Sequence, residues 1–181
     1  MKILLHMCCA PCSIYPLKTL RKQDMSVMGF FYRNNIHPYT ECRKRQDTLE
    51  QFAGQQELAV IYQTGYEMEA FLRKIVFRES NRCAVCYHER LTAAAKVAKK
   101  GKFDCFSTTL LYSKFQNHEN IAATGESVSK SVGIPFHYHD FREGWKEGIA
   151  ESKRLSMYRQ QYCGCIYSEK ERYYKPQIRH G

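Results

Sequence analysis

The sequence lacks a long hydrophobic run: no stretch approaches the roughly 18 consecutive apolar residues that a membrane-spanning helix needs. It also lacks a secretory leader, since only Lys2 and a few residues of mixed apolar character precede the first cysteines. We therefore expect a soluble, cytoplasmic protein with no membrane partner. Internal repeats, low-complexity tracts and linker-like segments are missing as well, so residues 1–181 predict a single domain with an ample core.

Glycine is absent from residues 6–17, which follow the first apolar run. The first strand–loop–helix junction of many α/β proteins carries a glycine-rich loop that binds phosphate. Here the loop carries Cys8, Cys9 and Cys12 instead, and thiols favour a soft metal ion. The same absence argues against an adenylating enzyme of tRNA thiolation or thiol transfer, which would need a nucleotide loop.

Cysteine, in contrast, is abundant, with nine residues in the chain. Disulfides are disfavoured because a reducing compartment is expected, a domain of this length needs no covalent cross-links, and the count is odd. The clustering of the cysteines favours metal ligation or redox chemistry over a role as small buried hydrophobes. Cys42, on a polar helix, and Cys105, in a predicted strand, are assigned no role.

Apolar runs alternate with helical patterns, which is typical of a βαβ chain. Strands are predicted at residues 3–5, 25–32, 58–62, 103–111 and 136–139. Helices are predicted from Ser13 with Pro16 in the first turn, from Thr40, at 66–78, from Cys83 to a Gly101 cap, at 117–132 and at 141–161. The pattern predicts a doubly wound parallel sheet of about five strands, with a helical, basic extension over residues 141–181 of the same domain. In such a sheet the loops after the strands gather at the carboxyl edge, where we expect the cysteine motifs to meet.

Two cysteine motifs are candidates for one metal site. Cys83 and Cys86 form a Cys-x-x-Cys ahead of a helix, which alone permits zinc, an iron–sulfur cluster, a thioredoxin-like pair or inert buried thiols. With two sulfurs from the first loop the motif makes four thiolates, the complement of a [4Fe–4S] cluster. We favour Cys8 and Cys9 for those two sulfurs, and the alternative is that Cys12 replaces Cys8.

A third motif is Cys163-Gly164-Cys165. Its glycine permits the tight backbone that brings two sulfurs together. The pair can cycle between dithiol and disulfide, hold a second metal, or serve only as structure. The nearby cations Lys153, Arg159 and Lys170 favour the thiolate form.

The chain has a net charge of +10, and half of the excess lies in residues 153–181, whose seven basic and two acidic residues give +5. Five tyrosines are interleaved with these charges: Tyr158, Tyr162, Tyr167, Tyr173 and Tyr174. Cations for phosphates beside rings for base stacking are typical of an RNA surface. The alternative is a solvated helical face.

The segment 107–117 is rich in hydroxyl groups and leads into a helix. Its polar side chains fit either a ribose or phosphate site at a helix N-terminus or ordinary helix caps. Asp104, Tyr112 and Asp140 are candidate proton donors on residue type alone. His37 and His180 give no signal, and the other histidines are expected to be structural: His6, His88, His118, His137 and His139.

Four segments together resemble the QueH family of epoxyqueuosine reductases. They are CCAPC after the first strand, NRCAVCYHERL, STTLLYSKFQNHENI, and YCGC after RLSMYRQQ. The likeness extends over nearly the whole chain, and the combination is far more specific than any one motif. It implies a Rossmann-like, adenine nucleotide α-hydrolase-like fold in which CCAPC replaces the phosphate loop.

The resemblance also implies a reaction, the cobalamin-independent reduction of epoxyqueuosine at the wobble position of a tRNA anticodon to queuosine, the last step of queuosine synthesis. An external electron donor is needed. The implied [4Fe–4S] cluster falls on Cys8, Cys9, Cys83 and Cys86. The implied redox-active pair, or a site for one additional iron, falls on Cys163 and Cys165. The competing hypothesis is a non-catalytic zinc protein that binds RNA.

Overall fold

A computed structural model of the protein describes residues 1–175, in which strands and helices alternate. The four strands are β1 (Lys2–Met7), β2 (Ser26–Phe31), β3 (Val60–Tyr62) and β4 (Cys105–Thr108). The seven α-helices of the described chain are α1 (Ala10–Lys22), α2 (Tyr39–Gln55), α3 (Met68–Ile75), α4 (Arg82–Lys100), α5 (His118–Val132), α6 (Trp145–Arg154) and α7 (Ile166–Tyr173). Short 3-10 turns precede α4 and α6 and follow β4.

The four strands form one parallel sheet in the order β3-β2-β1-β4. Strand β1 lies between two neighbours, pairing Ile3 with Val27 on one side and Leu4 with Phe106 on the other. Every residue of β1 after Lys2 is buried. A parallel strand covered on both faces needs such a continuous apolar run, which is why the sequence marks β1 so clearly.

The predicted fifth strand at 136–139 is reduced to a single parallel bridge between Phe106 and Phe136. Two backbone hydrogen bonds flank that bridge, from Phe106 N–H to the Pro135 carbonyl and from His137 N–H to the Phe106 carbonyl. The ladder stops there because Pro135 has no N–H to donate and Asp140 already caps the next 3-10 turn. The predicted count of five strands was therefore one too many.

Helices cover both faces of the sheet. Right-handed crossovers place the helices that connect β1, β2 and β3 on one face and those on either side of β4 on the other. Accordingly α1 packs on α2 and α6, while α4 packs on α5. The predicted doubly wound arrangement is confirmed, and the carboxyl ends of all four strands open on the same edge.

Several predicted boundaries were wrong. Helix α1 begins at Ala10 with Cys9 at its N-cap, so Pro16 lies in the helix interior and Ser13 caps nothing. The Ser13 hydroxyl instead donates to the Cys9 carbonyl at 2.7 Å. Helix α2 begins at Tyr39 with Pro38 at its N-cap, two residues before the predicted cap Thr40. The end of α4 is as predicted, with Gly101 at the C-cap.

The region after residue 141 is helical only in part. A 3-10 turn and α6 end at Arg154, and helix resumes only at Ile166. The intervening stretch, which carries Cys163 and Cys165, is bound to distant parts of the chain rather than to its own backbone. The predicted basic tail is described up to Lys175, and its last six residues, 176–181, lie outside the described part.

Candidate metal centre

Three strands deliver polar side chains to the carboxyl edge of the sheet. Cys8 and Cys9 follow β1, Asn34 and Asn35 follow β2, and Thr109 follows β4. The register of β1 with β4 aligns His6 with Thr108. The Cys8 N–H consequently reaches the Thr109 hydroxyl at 3.2 Å.

Three sulfurs form a tripod at this edge. The Sγ atoms of Cys8, Cys9 and Cys12 lie within 4.8 Å of one another, with Cys8 and Cys9 at 3.8 Å. Cys9 is the N-cap of α1 and Cys12 lies one turn later, so the tripod stands at the positive end of the helix. Free N–H groups and the helix dipole favour negative charge at such a position.

The three thiols of the tripod differ in pKa. Hydrogen bonds from Cys12 and Cys9, assisted by Arg90 and Thr109, hold the pKa of Cys8 well below its usual range. Burial raises the pKa of Cys9, and the interaction with Cys8 raises that of Cys12. Cys8 is therefore the most acidic thiol of the tripod. A metal ion bound by all three sulfurs would displace their protons, because metal ligands must be deprotonated.

A second set of thiols lies at the start of α4 and in the Cys163–Cys165 segment. Cys83 is exposed and Cys86 is half-buried within the first turns of α4. Desolvation by the surrounding protein, together with Cys86, raises the pKa of Cys163 to about 12. The Cys163 residue is nevertheless exposed at the surface.

Side-chain amides donate to a sulfur in both sets. Asn35 Nδ2 lies 3.0 Å from Cys86 Sγ, and Gln116 Nε2 lies 3.4 Å from Cys163 Sγ. Gln160 Nε2 lies 2.9 Å from Cys9 Sγ and 3.4 Å from Cys12 Sγ. Hydrogen bonds to thiolate sulfur orient the ligands and tune the potential of a bound iron–sulfur centre.

Arg90 connects the two sets of thiols. Its side chain is 2% exposed, and its Nε and Nη1 atoms have no hydrogen-bond partner among residues 1–175. Burial opposes its charge, yet the neighbouring cysteines Cys86, Cys8 and Cys163 raise its pKa. A buried cation without a paired carboxylate is costly, so this guanidinium calls for an anion between the thiols.

A second buried arginine holds the Cys163 segment in place. Arg45, 1% exposed, forms an ion pair with Glu41 at 2.7 Å. Its remaining N–H groups donate to the carbonyls of Cys163 at 2.8 Å and Tyr162 at 2.9 Å. Gly164 between the two cysteines has a φ of +154°, and a Cβ there would lie 3.3 Å from the Arg45 guanidinium. The positive φ of Gly164 and its closeness to Arg45 therefore both favour a glycine between the two cysteines.

His37 holds the same segment from the other side. Its N–H donates to the Gly164 carbonyl at 2.7 Å, and its carbonyl accepts from the Tyr162 hydroxyl at 2.6 Å. Its ring accepts the N–H of Ile166. Three contacts from one residue therefore fix the backbone around Cys163 and Cys165.

The remaining predicted residues are placed as follows. Cys165 is half-buried, with its sulfur 3.6 Å from the Ser168 hydroxyl. Cys105 lies in the core as expected, and Cys42, expected on a polar helix face, is also fully buried. The hydroxyl-rich segment behaves as helix caps, since Thr108 caps a 3-10 turn and Asn117 caps α5.

The three candidate proton donors are engaged elsewhere. Asp104 accepts the Lys2 N–H at the opposite, amino edge of the sheet. Hydrogen bonds from Arg142 lower the pKa of Asp140 to about 2. Tyr112 is buried, and its hydroxyl donates to the Trp145 carbonyl at 3.1 Å.

Five residues of the site were missed at the sequence level: Asn35, His37, Arg45, Arg90 and Gln160. Asn35 and His37 had a usable signal, because polar residues directly after a strand of a parallel sheet lie at its carboxyl edge. Gln160 adjoins the Cys163 motif. The two arginines had no such signal, since arginines on helices are usually exposed.

Fold and site together define a parallel α/β protein with a thiol-lined candidate metal centre at the carboxyl edge of its sheet. A family model described as "Epoxyqueuosine reductase QueH" matches residues 3–171. The chain therefore belongs to the QueH family of epoxyqueuosine reductases and is an oxidoreductase. The family resemblance of the four segments is confirmed.

Individual relatives support this assignment. The chain is 34% identical over 175 residues to the epoxyqueuosine reductase QueH of Dehalococcoides mccartyi, covering 97% of this chain and 96% of the relative. It is 34% identical over 180 residues to the QueH protein of Thermotoga maritima, covering 94% and 91%. Because nearly the full length aligns in both, the likeness is not confined to the cysteine motifs.

The fold also has a solved counterpart. A predicted subunit of a tRNA methyltransferase from Methanocaldococcus jannaschii superposes with a TM-score of 0.53 at 11% identity, covering 83% of this chain and 74% of the other. This likeness concerns the fold alone. It agrees with the expected doubly wound, parallel α/β architecture. No helix among residues 1–175 combines the length and the apolar character that crossing a membrane requires.

Proposed function

We propose that this protein reduces epoxyqueuosine at the wobble position of tRNA to queuosine, with a [4Fe–4S] cluster held by Cys8, Cys9, Cys83 and Cys86. Cys163 and Cys165 then serve as a redox-active pair or hold one additional iron. The observation that carries the proposal is the family match over residues 3–171 of a chain in which Cys8, Cys9 and Cys12 form a tripod at the carboxyl edge of the sheet. The competing hypothesis of a non-catalytic zinc protein is not favoured by that match.

The residues around the thiols fit an anionic metal–sulfur group. Thiolates are the ligands of such clusters, and the unpaired Nε and Nη1 atoms of the buried Arg90 supply positive charge beside them. The amides of Asn35, Gln116 and Gln160 supply N–H donors to sulfur. This environment offsets negative charge from several directions.

The tripod alone fits a single metal ion, which is smaller than a cluster. Sulfurs bound to one tetrahedral ion at about 2.3 Å lie about 3.8 Å apart, which is the observed separation of Cys8 and Cys9. A cluster is wider, so it needs ligands beyond the tripod, and Cys83 and Cys86 are the proposed source. Cys12 then remains a neighbour, and its replacement of Cys8 as a ligand is the alternative.

The reaction sets the requirements on these residues. Converting the epoxide to an alkene removes one oxygen as water and consumes two electrons and two protons. A bound [4Fe–4S] cluster supplies electrons one at a time. Cys163 and Cys165 can together supply two electrons and two protons by forming a disulfide, and an external donor must then reduce them. Cys163 is exposed, as a residue that acts on an RNA base must be.

The substrate surface is proposed to include the described part of the basic tail. Tyr158 and Tyr162 turn inward to Glu41 and His37, whereas Tyr173 and Tyr174 on and after α7 are exposed. Lys170 lies over the Tyr174 ring at 5.7 Å. Exposed rings with cations suit contact with the anticodon arm.

Anaerobic purification with iron, sulfide and zinc quantification tests the cofactor. We expect about four irons and four sulfides per cluster, brown protein and bleaching by dithionite. Incubation with epoxyqueuosine-containing tRNA and a reductant, followed by nucleoside mass spectrometry, tests the reaction. Colourless protein with one zinc and no conversion would support the RNA-binding zinc protein instead.

A further inference from the structure

Two phenylalanines are largely exposed on the protein surface. Phe77 is 95% exposed and Phe115 is 86% exposed, although the Phe115 ring stands edge-on to Trp145 with ring centroids 5.5 Å apart. Phe77 lies between α3 and α4, and Phe115 lies between β4 and α5. Single exposed aliphatic residues are common on protein surfaces, but two large rings exposed to this extent are poorly explained by folding.

The backbone at Phe77 is strained. Its φ is +61°, in the left-handed region that a bulky side chain rarely adopts. The turn is held by the Phe77 N–H donating to Glu79 at 3.1 Å and by the Arg78 N–H donating to the Ile75 carbonyl at 2.9 Å. Strain of this kind recurs at ligand-binding positions. At Phe77 the left-handed backbone conformation directs the aromatic ring into solvent.

The loop of Phe115 contacts a thiol, and the loop of Phe77 runs into the helix that carries Cys83. Phe115 precedes Gln116, whose amide contacts Cys163 Sγ at 3.4 Å. The loop of Phe77 leads into Arg82 and Cys83 at the start of α4. The Arg82 guanidinium lies 5.6 Å from the Tyr167 ring of α7, two residues after Cys165.

The surroundings of both rings are basic. Arg73, Lys74 and Arg78 lie within four residues of Phe77 and are exposed, and Lys74 forms an ion pair with Glu89. Lys114, next to Phe115, is exposed too. Rings that can stack on bases beside cations that can contact phosphates are the features of a surface for single-stranded RNA. An electron-donor protein with acidic groups could also contact these cations. Such a partner would give no reason for the two exposed rings, whereas RNA bases would.

We propose that Phe77 and Phe115 stack on unpaired anticodon-loop nucleotides next to the base that reaches Cys163. The inference rests on the proposed function, and it names two residues that position the RNA rather than the catalytic thiols. Extruding one base breaks its stacking on its neighbours. The two exposed rings would replace that lost stacking.

Phe77→Gly is the most informative variant. Glycine adopts a positive φ without strain, so the melting temperature should stay equal or rise despite the greater freedom of the unfolded chain. Binding of a fluorescein-labelled tRNA anticodon stem-loop, measured by anisotropy, should weaken by about 5- to 100-fold. Phe115→Ala should weaken binding similarly. Phe77→Trp and Phe115→Trp should restore it, since they keep an aromatic surface.

The matched control is Ile61→Ala, which removes an exposed apolar side chain on the edge strand β3. It should leave RNA binding unchanged. In turnover assays the two phenylalanine variants should raise KM for tRNA and leave kcat and iron content near wild type. RNA binding within twofold of wild type in both Phe77→Gly and Phe115→Ala overturns the inference while sparing the proposed function. Failure of the wild-type protein to bind the stem-loop overturns both.

Discussion

The backbone N–H of Ile166 donates to Nδ1 of His37 across 3.2 Å. The other ring nitrogen, Nε2, lies 2.9 Å from the Asn34 carbonyl oxygen, which can only accept. These two partners assign a neutral imidazole protonated at Nε2. The ring thereby ties the segment after β2 to the segment that carries Cys163 and Cys165, although the two are more than a hundred residues apart in sequence.

His37→Asn should loosen the Cys163–Cys165 segment. The lost buried hydrogen bonds are worth about 1–3 kcal/mol, so backbone amides 162–166 should exchange hydrogen faster and kcat should fall by about tenfold or more. Iron content should change little, because the proposed cluster ligands lie elsewhere. The control is His88→Asn on the exposed face of α4. Equal exchange rates in the two variants would contradict the role of His37.

Stability should fall in weak acid because of His37. Burial lowers the pKa of this imidazole from its ordinary value of 6.5. Below about pH 6.5 the unfolded chain therefore binds more protons at His37 than the folded chain, and the free energy of unfolding decreases as the pH drops. Above that pH the contribution is constant.

The measurement is the melting temperature at about pH 7.5 and about pH 5.5 for wild type and His37→Asn. The melting temperature of the variant should fall less between about pH 7.5 and about pH 5.5, since position 37 then carries no group that titrates in this range. His6, whose pKa burial lowers to about 3, contributes with the same sign to both proteins and cancels in the difference. An equal fall of the melting temperature in wild type and His37→Asn would show that His37 is not the group responsible.

Arg90→Met tests the proposed anion beside Arg90. Methionine fills much of the volume and removes the buried positive charge. At an effective dielectric constant near 20 a unit charge about 6 Å away is worth roughly 3 kcal/mol, so the cluster potential should drop by on the order of 100 mV. The metal-free variant should be as stable as wild type or more so, because an unpaired buried charge has been removed.

Spectroelectrochemical titration and thermal melting of metal-free protein measure these two effects. Arg90→Lys, which keeps the charge without the planar fork, serves as the control and should shift the potential less. An unchanged potential in Arg90→Met would place the cluster away from this guanidinium.

The ligand choice within the tripod is tested by comparing Cys8→Ala with Cys12→Ala. The proposed assignment predicts that Cys8→Ala loses iron and sulfide, whereas Cys12→Ala retains about the wild-type content. Cys105→Ala is the matched control, since this buried cysteine lies in β4 and has no proposed ligand role. Loss of iron in Cys12→Ala with retention in Cys8→Ala would establish the alternative ligand set.

The roles of the two outer motifs separate in a second pair of variants. Cys83→Ala should abolish the brown colour and turnover together. Cys163→Ala should keep the cluster spectrum and lose turnover by at least about a hundredfold, because the proposed two-electron step needs both sulfurs. A pale Cys163→Ala protein without iron would instead make Cys163 a cluster ligand.

Much of the fold was predictable from local patterns. Strands β1 and β2 lie within or next to the predicted runs, because a strand covered on both faces must be apolar throughout. The fifth strand failed because Pro135 and Asp140 limit its ladder to one bridge, which the apolar pattern of the region does not reveal. The interval between α6 and α7 failed because its backbone is held by Arg45 and His37 instead of by helical hydrogen bonds.

The sequence by itself determined the alternation of strands and helices and the position of Cys8 and Cys9 at a strand end, since both follow from side-chain periodicity and chain order. Only the tertiary structure decided that Arg90 lies buried between two sets of thiols and that His37 and Arg45 hold the Cys163 segment. The physical reason is that these contacts join residues far apart in the chain. Burial of a charge depends on which distant side chains pack around it, and local patterns carry no record of that packing.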